Sequence, residues 1–177
     1  MKLSKFIGIV LGTLVGLVLI IALFVPKEFK YEKSIVINAP IEKVWENVNS
    51  LSALDKWSPW NAQDPNMKKE LIGVDGTIGA IQNWESKIVG SGSQTIETID
   101  KPTFFETKLD FYKPHKTQGK SYVKLTKEKN ETRACWGTTG KIAYPVNIMI
   151  LFMDMEKDMG KDWNNGLSKL KMISESK

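Results

Sequence analysis

A single histidine and a single cysteine limit what chemistry this chain can perform. His115 stands in Tyr112-Lys113-Pro114-His115-Lys116, beside a proline in a polar stretch, and reads as an exposed loop imidazole rather than a general base. With Cys135 alone, no intramolecular disulfide forms, and the supply of nitrogen and sulfur ligands is too small for a zinc site. No metal and no cofactor are expected. A hydrolytic Ser-His-Asp constellation finds no partner histidine in an apolar setting. Gly73, Gly76 and Gly79 are evenly spaced but lie between strands, whereas a phosphate cradle needs a helix N-terminus, so they read as turn residues.

The remaining chemistry is that of apolar surfaces. Six tryptophans and seven methionines are available in 177 residues. Large rings and flexible thioethers line pockets that accept apolar molecules of irregular shape, although the same residues also make ordinary dry cores. Twenty-five basic residues against twenty acidic ones give a net charge of +5. The basic side chains are scattered rather than gathered in a stripe, which argues against a nucleic-acid partner.

The elements that must position these groups follow from periodicity. Residues 1–5 are a basic N-terminus. Phe6 to Val25 contains no charge, and twenty such residues span a hydrocarbon core of about 30 Å. The run ends Ala22-Leu23-Phe24-Val25-Pro26, with a bulky Phe24 where a signal-peptide cleavage site needs a small residue. Residues 6–25 are thus expected to be a single transmembrane helix. Lys2 and Lys5 nearly balance Lys27, Lys30 and Lys33 across it, leaving a slight lean toward an extracytoplasmic domain. Gly8, Gly12 and Gly16 share one helix face that would admit a weak homodimer, though glycine is also simply common in membrane helices.

After a juncture at 26–30, one domain is expected over 31–177. Tyr31 to Asn38 reads as a strand, and Ile41, Val44, Trp45 and Val48 recur at helical spacing behind Pro40. A second short helix is expected around Leu51 to Lys56. Six further strands are expected at Lys68–Ile72, Ile78–Trp84, Gln94–Ile99, Thr103–Phe111, Ser121–Lys127 and Thr132–Thr139, separated by turn signals. A helix fills the rest, apolar all round over Ile148 to Met153 and amphipathic afterwards, with a break expected near Gly160. The class is α+β: a curved antiparallel sheet of about seven strands around a long C-terminal helix.

Ser34-Ile35-Val36-Ile37-Asn38-Ala39-Pro40 through Trp45, the Trp57-Ser58-Pro59-Trp60 cluster, Thr132-Arg133-Ala134-Cys135-Trp136 and Gly160 through Lys171 resemble the START-like helix-grip superfamily. That superfamily is also called SRPBCC, or polyketide cyclase/dehydrase and lipid-transport proteins. The resemblance covers about residues 31–175. It implies a helix-grip fold with a cavity between sheet and long helix, and members that bind lipids, quinones, hormones or polyketides; it does not choose among them.

Strand alternation suggests which side chains face that cavity. Phe105, Thr107, Leu109 and Phe111 form the more apolar set of their strand, with Glu106 and Asp110 opposite. In the third strand Ala80, Gln82 and Trp84 compete with Ile81 and Asn83 for the inward face, and the set with Trp84 is favoured; Trp136 and Thr138 are assigned inward as well, and Met149 and Met153 close the pocket from the helix. With no inward carboxylate or histidine, enzymatic catalysis is not the favoured reading. The expected function is a membrane-anchored module that holds or shuttles an apolar small molecule, a lipid or isoprenoid-like compound. A cyclase or dehydratase on a hydrophobic substrate and an envelope interaction protein without a ligand are the alternatives.

Overall fold

Alternating β-branched and aromatic residues build the strands, and short helices occupy the one long connection that separates the first strand from the hairpins. The computed structural model describes residues 2–176. The elements run α1 (Lys2–Phe24), β1 (Glu28–Ile37), α2 (Ile41–Trp45), α3 (Leu51–Asp55), α4 (Pro59–Gln63), β2 (Lys68–Ile72), β3 (Ile81–Glu85), β4 (Ser91–Asp100), β5 (Phe104–Lys113), β6 (Thr117–Glu128), β7 (Glu131–Lys141), a 3₁₀ helix (Val146–Phe152) and α5 (Met155–Glu175). All seven strands join one curved sheet in the order β1-β7-β6-β5-β4-β3-β2. The chain thus returns by hairpins from β2 to β7 and ends beside the strand that began it. The α+β class and its seven strands match the expectation. An additional helix, α4, begins with Pro59 in its first turn, inside the tryptophan cluster.

The described residues divide into two compact units, 30–139 with 155–176 and 2–29 with 140–154. In the first, one face of the sheet packs inward, except at the edge strand β2, whose five residues are all exposed. Phe105 and Thr107 of β5, Val123 and Leu125 of β6, and Ala134, Trp136 and Thr138 of β7 are buried, while Lys124 and Arg133 are exposed. Helix α5 buries Trp163, Gly166, Leu167, Leu170 and Ser174, a stripe at i, i+3, i+4 and i+7. Gly166 sits where a Cβ would come within 2.7 Å of the Trp136 ring, so the missing side chain is what lets helix and ring approach.

Two expectations about this helix are corrected. It runs unbroken through Gly160 and begins only at Met155. Residues 148–153 are not its buried first turns. Residues 148–152 belong to the 3₁₀ helix, where Met149 is 56% and Phe152 82% exposed, and Met153 follows it in extended conformation. Met149 and Met153 therefore stand in the second unit and not on the long helix.

That second unit is built on α1. Asn147, fully buried, donates from Nδ2 to the carbonyl oxygens of Ala22 and Val25 at 2.8 and 2.9 Å. These are carbonyls at the helix C-terminus, which lack intrahelical donors. Tyr144 Oη donates to the Leu19 carbonyl at 3.4 Å, and the Ile142 amide to that of Lys27 at 2.8 Å. Leu3–Phe24 is long and apolar enough to cross a membrane.

In the larger unit, Asp75 fastens the β2–β3 turn to α3. Its carboxylate accepts from the amides of Leu51 (2.8 Å), Ser52 (3.0 Å) and Gly76 (2.9 Å). Burial pushes its pKa up, but the hydrogen bonds from Ser52, Leu51 and Gly76 outweigh that and hold it below the ordinary value. Stability from this group is therefore full above its unfolded pKa, near 4, and is lost as pH falls through the depressed folded value. Replacing Asp75 by Ala is expected to cost about 1–2 kcal/mol at neutral pH and less in acid. Urea denaturation of both chains at two pH values checks this; equal losses at both would refute the assignment.

Candidate ligand site

The space between β7, the short helices and α5 is occupied by indole rings. Trp136 and Trp163 stack with centroids 4.4 Å apart and planes 15° from parallel. Trp57 meets Trp136 edge-on at 4.8 Å, and Trp60 meets Trp136 and Trp163 at 5.6 and 5.8 Å. Each indole of the stack has a polar anchor: Trp163 Nε1 donates to the Trp136 carbonyl and Trp136 Nε1 to Ser121 Oγ. Trp57 Nε1 donates to the Asn47 carbonyl. Phe105 packs edge-on against Trp45, with centroids 6.5 Å apart. These rings pack as core at this end of the fold.

One step along the strands the same sheet face opens. Register places Gln82 opposite Gln94, Gln94 opposite Leu109, and Leu109 opposite Gly119. The next inward row runs Trp84, Gly92, Phe111 and Thr117. Trp84 and Phe111 meet edge-on at 5.6 Å, and a Cβ on Gly92 would strike the Trp84 ring. Trp84 and Leu109 are half-buried and Phe111 is 36% exposed. Apolar surface thus stays open to solvent on the inward face.

Beneath it lie polar groups with fixed partners. Gln94 Nε2 donates to Thr107 Oγ1 at 2.8 Å, Thr107 Oγ1 to the Ser121 carbonyl at 3.3 Å, and Thr138 Oγ1 to the Lys120 carbonyl at 2.8 Å. Gln82 Nε2 donates to Asp55 Oδ2 at 2.9 Å. Asp55 also pairs with Lys69 at 2.5 Å. Asp55, Lys69 and Gln94 are polar groups on this face that the sequence reading missed. For Gln94 the alternation of its own strand was the available signal. Asp55 lies at the end of a five-residue helix too short to show which way it points.

Of the ten residues assigned to a pocket by sequence, the structure groups Gln82, Trp84, Leu109, Phe111, Thr107 and Thr138 on one face at the open end. Phe105 and Trp136 share that face but are packed within the core. Met149 and Met153 are in the other unit. Asp110 and Glu106 lie on the opposite face, paired with Lys108 at 3.0 Å and Lys120 at 2.8 Å. His115 is exposed in the β5–β6 turn.

The opposite face carries a groove of about 430 Å³ lined by Lys30, Glu32, Phe104, Glu106, Tyr122 and Cys135, among others. Its charges largely satisfy one another. Glu32 bonds Lys30 at 2.8 Å and accepts from Tyr122 Oη at 2.5 Å. Burial first, and then that bond to Glu32, push the Tyr122 pKa up to about 12. Burial likewise raises the Cys135 thiol, which keeps it protonated and a poor nucleophile. This is the polar outer surface of an antiparallel sheet.

Against solved structures the larger part of the chain finds close shape matches. Ara h 8.0201 superposes with a TM-score of 0.56 at 13% identity, covering 83% of this chain and 97% of its own. Protein MLL2253 from Mesorhizobium loti gives 0.58 at 14% identity, covering 82% of this chain and 96% of its own. Protein CV1439 from Chromobacterium violaceum gives 0.58 at 14% identity, covering 86% of this chain and 99% of its own. The fold is the helix-grip fold. No protein-family model matches the chain, and no curated protein matches it either. Identities this low establish shared architecture alone.

The two ends of the inward face should respond differently to truncation. Trp136→Ala removes a stacked, 4% exposed ring and should cost about 3–5 kcal/mol. Gly166→Ala, which forces a Cβ against that ring, should cost about 1–3 kcal/mol. Trp84→Ala should cost less than Trp136→Ala, because its ring is half-exposed. Thermal unfolding of the three variants checks the order, and a costlier loss at Trp84 would place the core elsewhere.

Proposed function

We propose that this chain is a membrane-anchored binding module that holds an apolar small molecule, a lipid or isoprenoid-like compound, against the open end of the inward sheet face. Residues 6–25 are the membrane span, and residues from about 31 onward supply the helix-grip domain. The observation that carries the reading is the set Trp84, Leu109 and Phe111 from two adjacent rows, apolar and incompletely covered on a face that is elsewhere sealed by rings. A monomeric soluble domain gains by covering such surface, and a ligand does so at about 25 cal/mol per Å² of apolar area. Gln82, Gln94 and Thr138 lie behind it as neutral polar groups able to orient one polar end of a ligand, as in most small-molecule sites, and the fully buried Thr107 holds Gln94 in place.

The anchor fits this chemistry, since apolar ligands partition into the bilayer and a tethered domain meets them there. The open Gly8, Gly12 and Gly16 face of α1, where a Cβ would touch nothing within 4 Å, leaves room for a weak homodimer. Catalysis finds less support. The carboxylate on the inward side, Asp55, is committed to Lys69 and Gln82. The packed indoles favour a second reading, an interaction protein of the envelope that takes no ligand.

Native mass spectrometry of the full chain, released from detergent, separates the two. One apolar molecule per chain is expected, identified after solvent extraction. The Trp84→Ala, Phe111→Ala double variant should retain it about 10–100-fold less strongly, from the loss of two ring contacts. A ligand held equally by both chains would move the site elsewhere. A chain that carries no molecule and takes up no apolar probe would establish the interaction-protein reading instead.

A further inference from the structure

We infer that the 3₁₀ helix Val146–Phe152 is a second membrane-embedded element, lying in the acyl region of the bilayer with its exposed side chains against lipid chains. This rests on reading α1 as the membrane span.

Three observations within the second unit carry it. First, the sequence from 142 to 153 contains no charged residue and is bounded by Lys141 and Asp154. Within it Val146 is 53%, Met149 56%, Leu151 57% and Phe152 82% exposed. Four large apolar side chains on one short segment are thus open, as are Leu23 and Phe24 at the end of α1.

Second, the segment is pinned to α1 below the helix end. Tyr144 reaches the carbonyl of Leu19, and Asn147 those of Ala22 and Val25. At a rise of 1.5 Å per residue, Leu19 lies about 9 Å inward of Val25, where the apolar run stops. If α1 spans the hydrocarbon core, the residues fastened to its last two turns share that depth. Charged side chains mark the boundary just beyond: the Ile142 amide bonds the Lys27 carbonyl, and Lys141 pairs with Glu28 at 2.6 Å, both exposed.

Third, backbone amides at both ends of the segment have partners. Irregular structure survives at membrane depth only where its polar groups find partners. The Asn147 amide bonds the Ala143 carbonyl at 3.0 Å and the Met153 amide that of Ile150 at 3.3 Å. Both protons of the buried Asn147 side-chain amide go to carbonyls at the end of α1, while its Oδ1 is buried without a hydrogen-bond partner among the described residues. The occupant of the patch is therefore lipid, recognised by apolar contact alone.

The test labels single cysteines with a nitroxide in the full chain carrying Cys135→Ser, reconstituted in phosphatidylcholine vesicles. Met149→Cys and Phe152→Cys probe the segment, Leu14→Cys the centre of α1, and Lys129→Cys the exposed β6–β7 turn. Collision with dissolved oxygen against a water-soluble nickel complex reads depth. Oxygen-dominated collision at 149 and 152, as at 14, and nickel-dominated collision at 129 is the expected result. Water-like collision at 149 or 152 with an apolar Leu14 label overturns the inference and leaves the anchor intact. A water-like label at 14 overturns the membrane span and this inference with it. All probed positions of the segment are exposed, so the labels do not disturb packing.

Discussion

The stacked pair Trp136–Trp163 is the contact on which the helix-grip unit depends. It joins the central end of β7 to the middle of α5, elements 27 residues apart in sequence, and it does so with two rings at 4.4 Å. A stacked or edge-on aromatic pair is worth about 0.5–1.5 kcal/mol beyond the area it buries, and Trp136 makes three such contacts. The pair also sets geometry. Because Gly166 offers no side chain, α5 settles directly on the ring of Trp136, and the helix axis is fixed relative to the sheet. Trp57 and Trp60 can then close over the stack only because Pro59 starts a helix between them.

Filling one end so completely decides what the other end can be. A curved sheet gripping a straight helix cannot touch it along its whole length. Large rings close the gap near β1 and β7; toward β3 and β4 the sheet carries Gly92 and Gln94 inward, and Trp84 and Phe111 meet each other while staying partly exposed. The polar network behind them adds rigidity. Gln94, Thr107 and the Ser121 carbonyl form a chain of bonds across three strands, so the face presents fixed donors and acceptors rather than mobile ones. The outer face, by contrast, neutralises its charges in exposed pairs such as Lys120 with Glu97 and Glu106, which hold Lys120 at a pKa of about 12 while adding little net stability.

How far the sequence reveals this depends on how local each signal is. Strand alternation is local, and it correctly places Phe105, Thr107, Trp136 and Thr138 on the buried face, with Glu106 and Asp110 opposite. Turn glycines are local too: Gly73, Gly76 and Gly79 all adopt positive φ between β2 and β3. Whether a buried-facing ring touches core or ligand is not local. Trp136 and Trp84 share a pattern, and only the partners brought by α4 and α5 separate them. Asp55 escaped for the same reason, since its reach to Gln82 crosses 27 residues.

The segment from Ile148 to Met153 shows a different limit, one of solvent rather than distance. Apolar residues on every side of a short helix are what a deeply buried core element needs, and equally what an element bathed in lipid needs. Periodicity carries no information that divides the two. What divides them is the disposition of Asn147, the polar residue just before the segment. In a soluble core Asn147 would bond neighbouring strands or helices of the domain; here both of its protons go to carbonyls at the end of the apolar helix α1. An asparagine that completes the terminus of α1 ties its own segment to that terminus. On the proposed membrane reading, the exposed methionine and phenylalanine face lipid, in which so much apolar surface carries no cost.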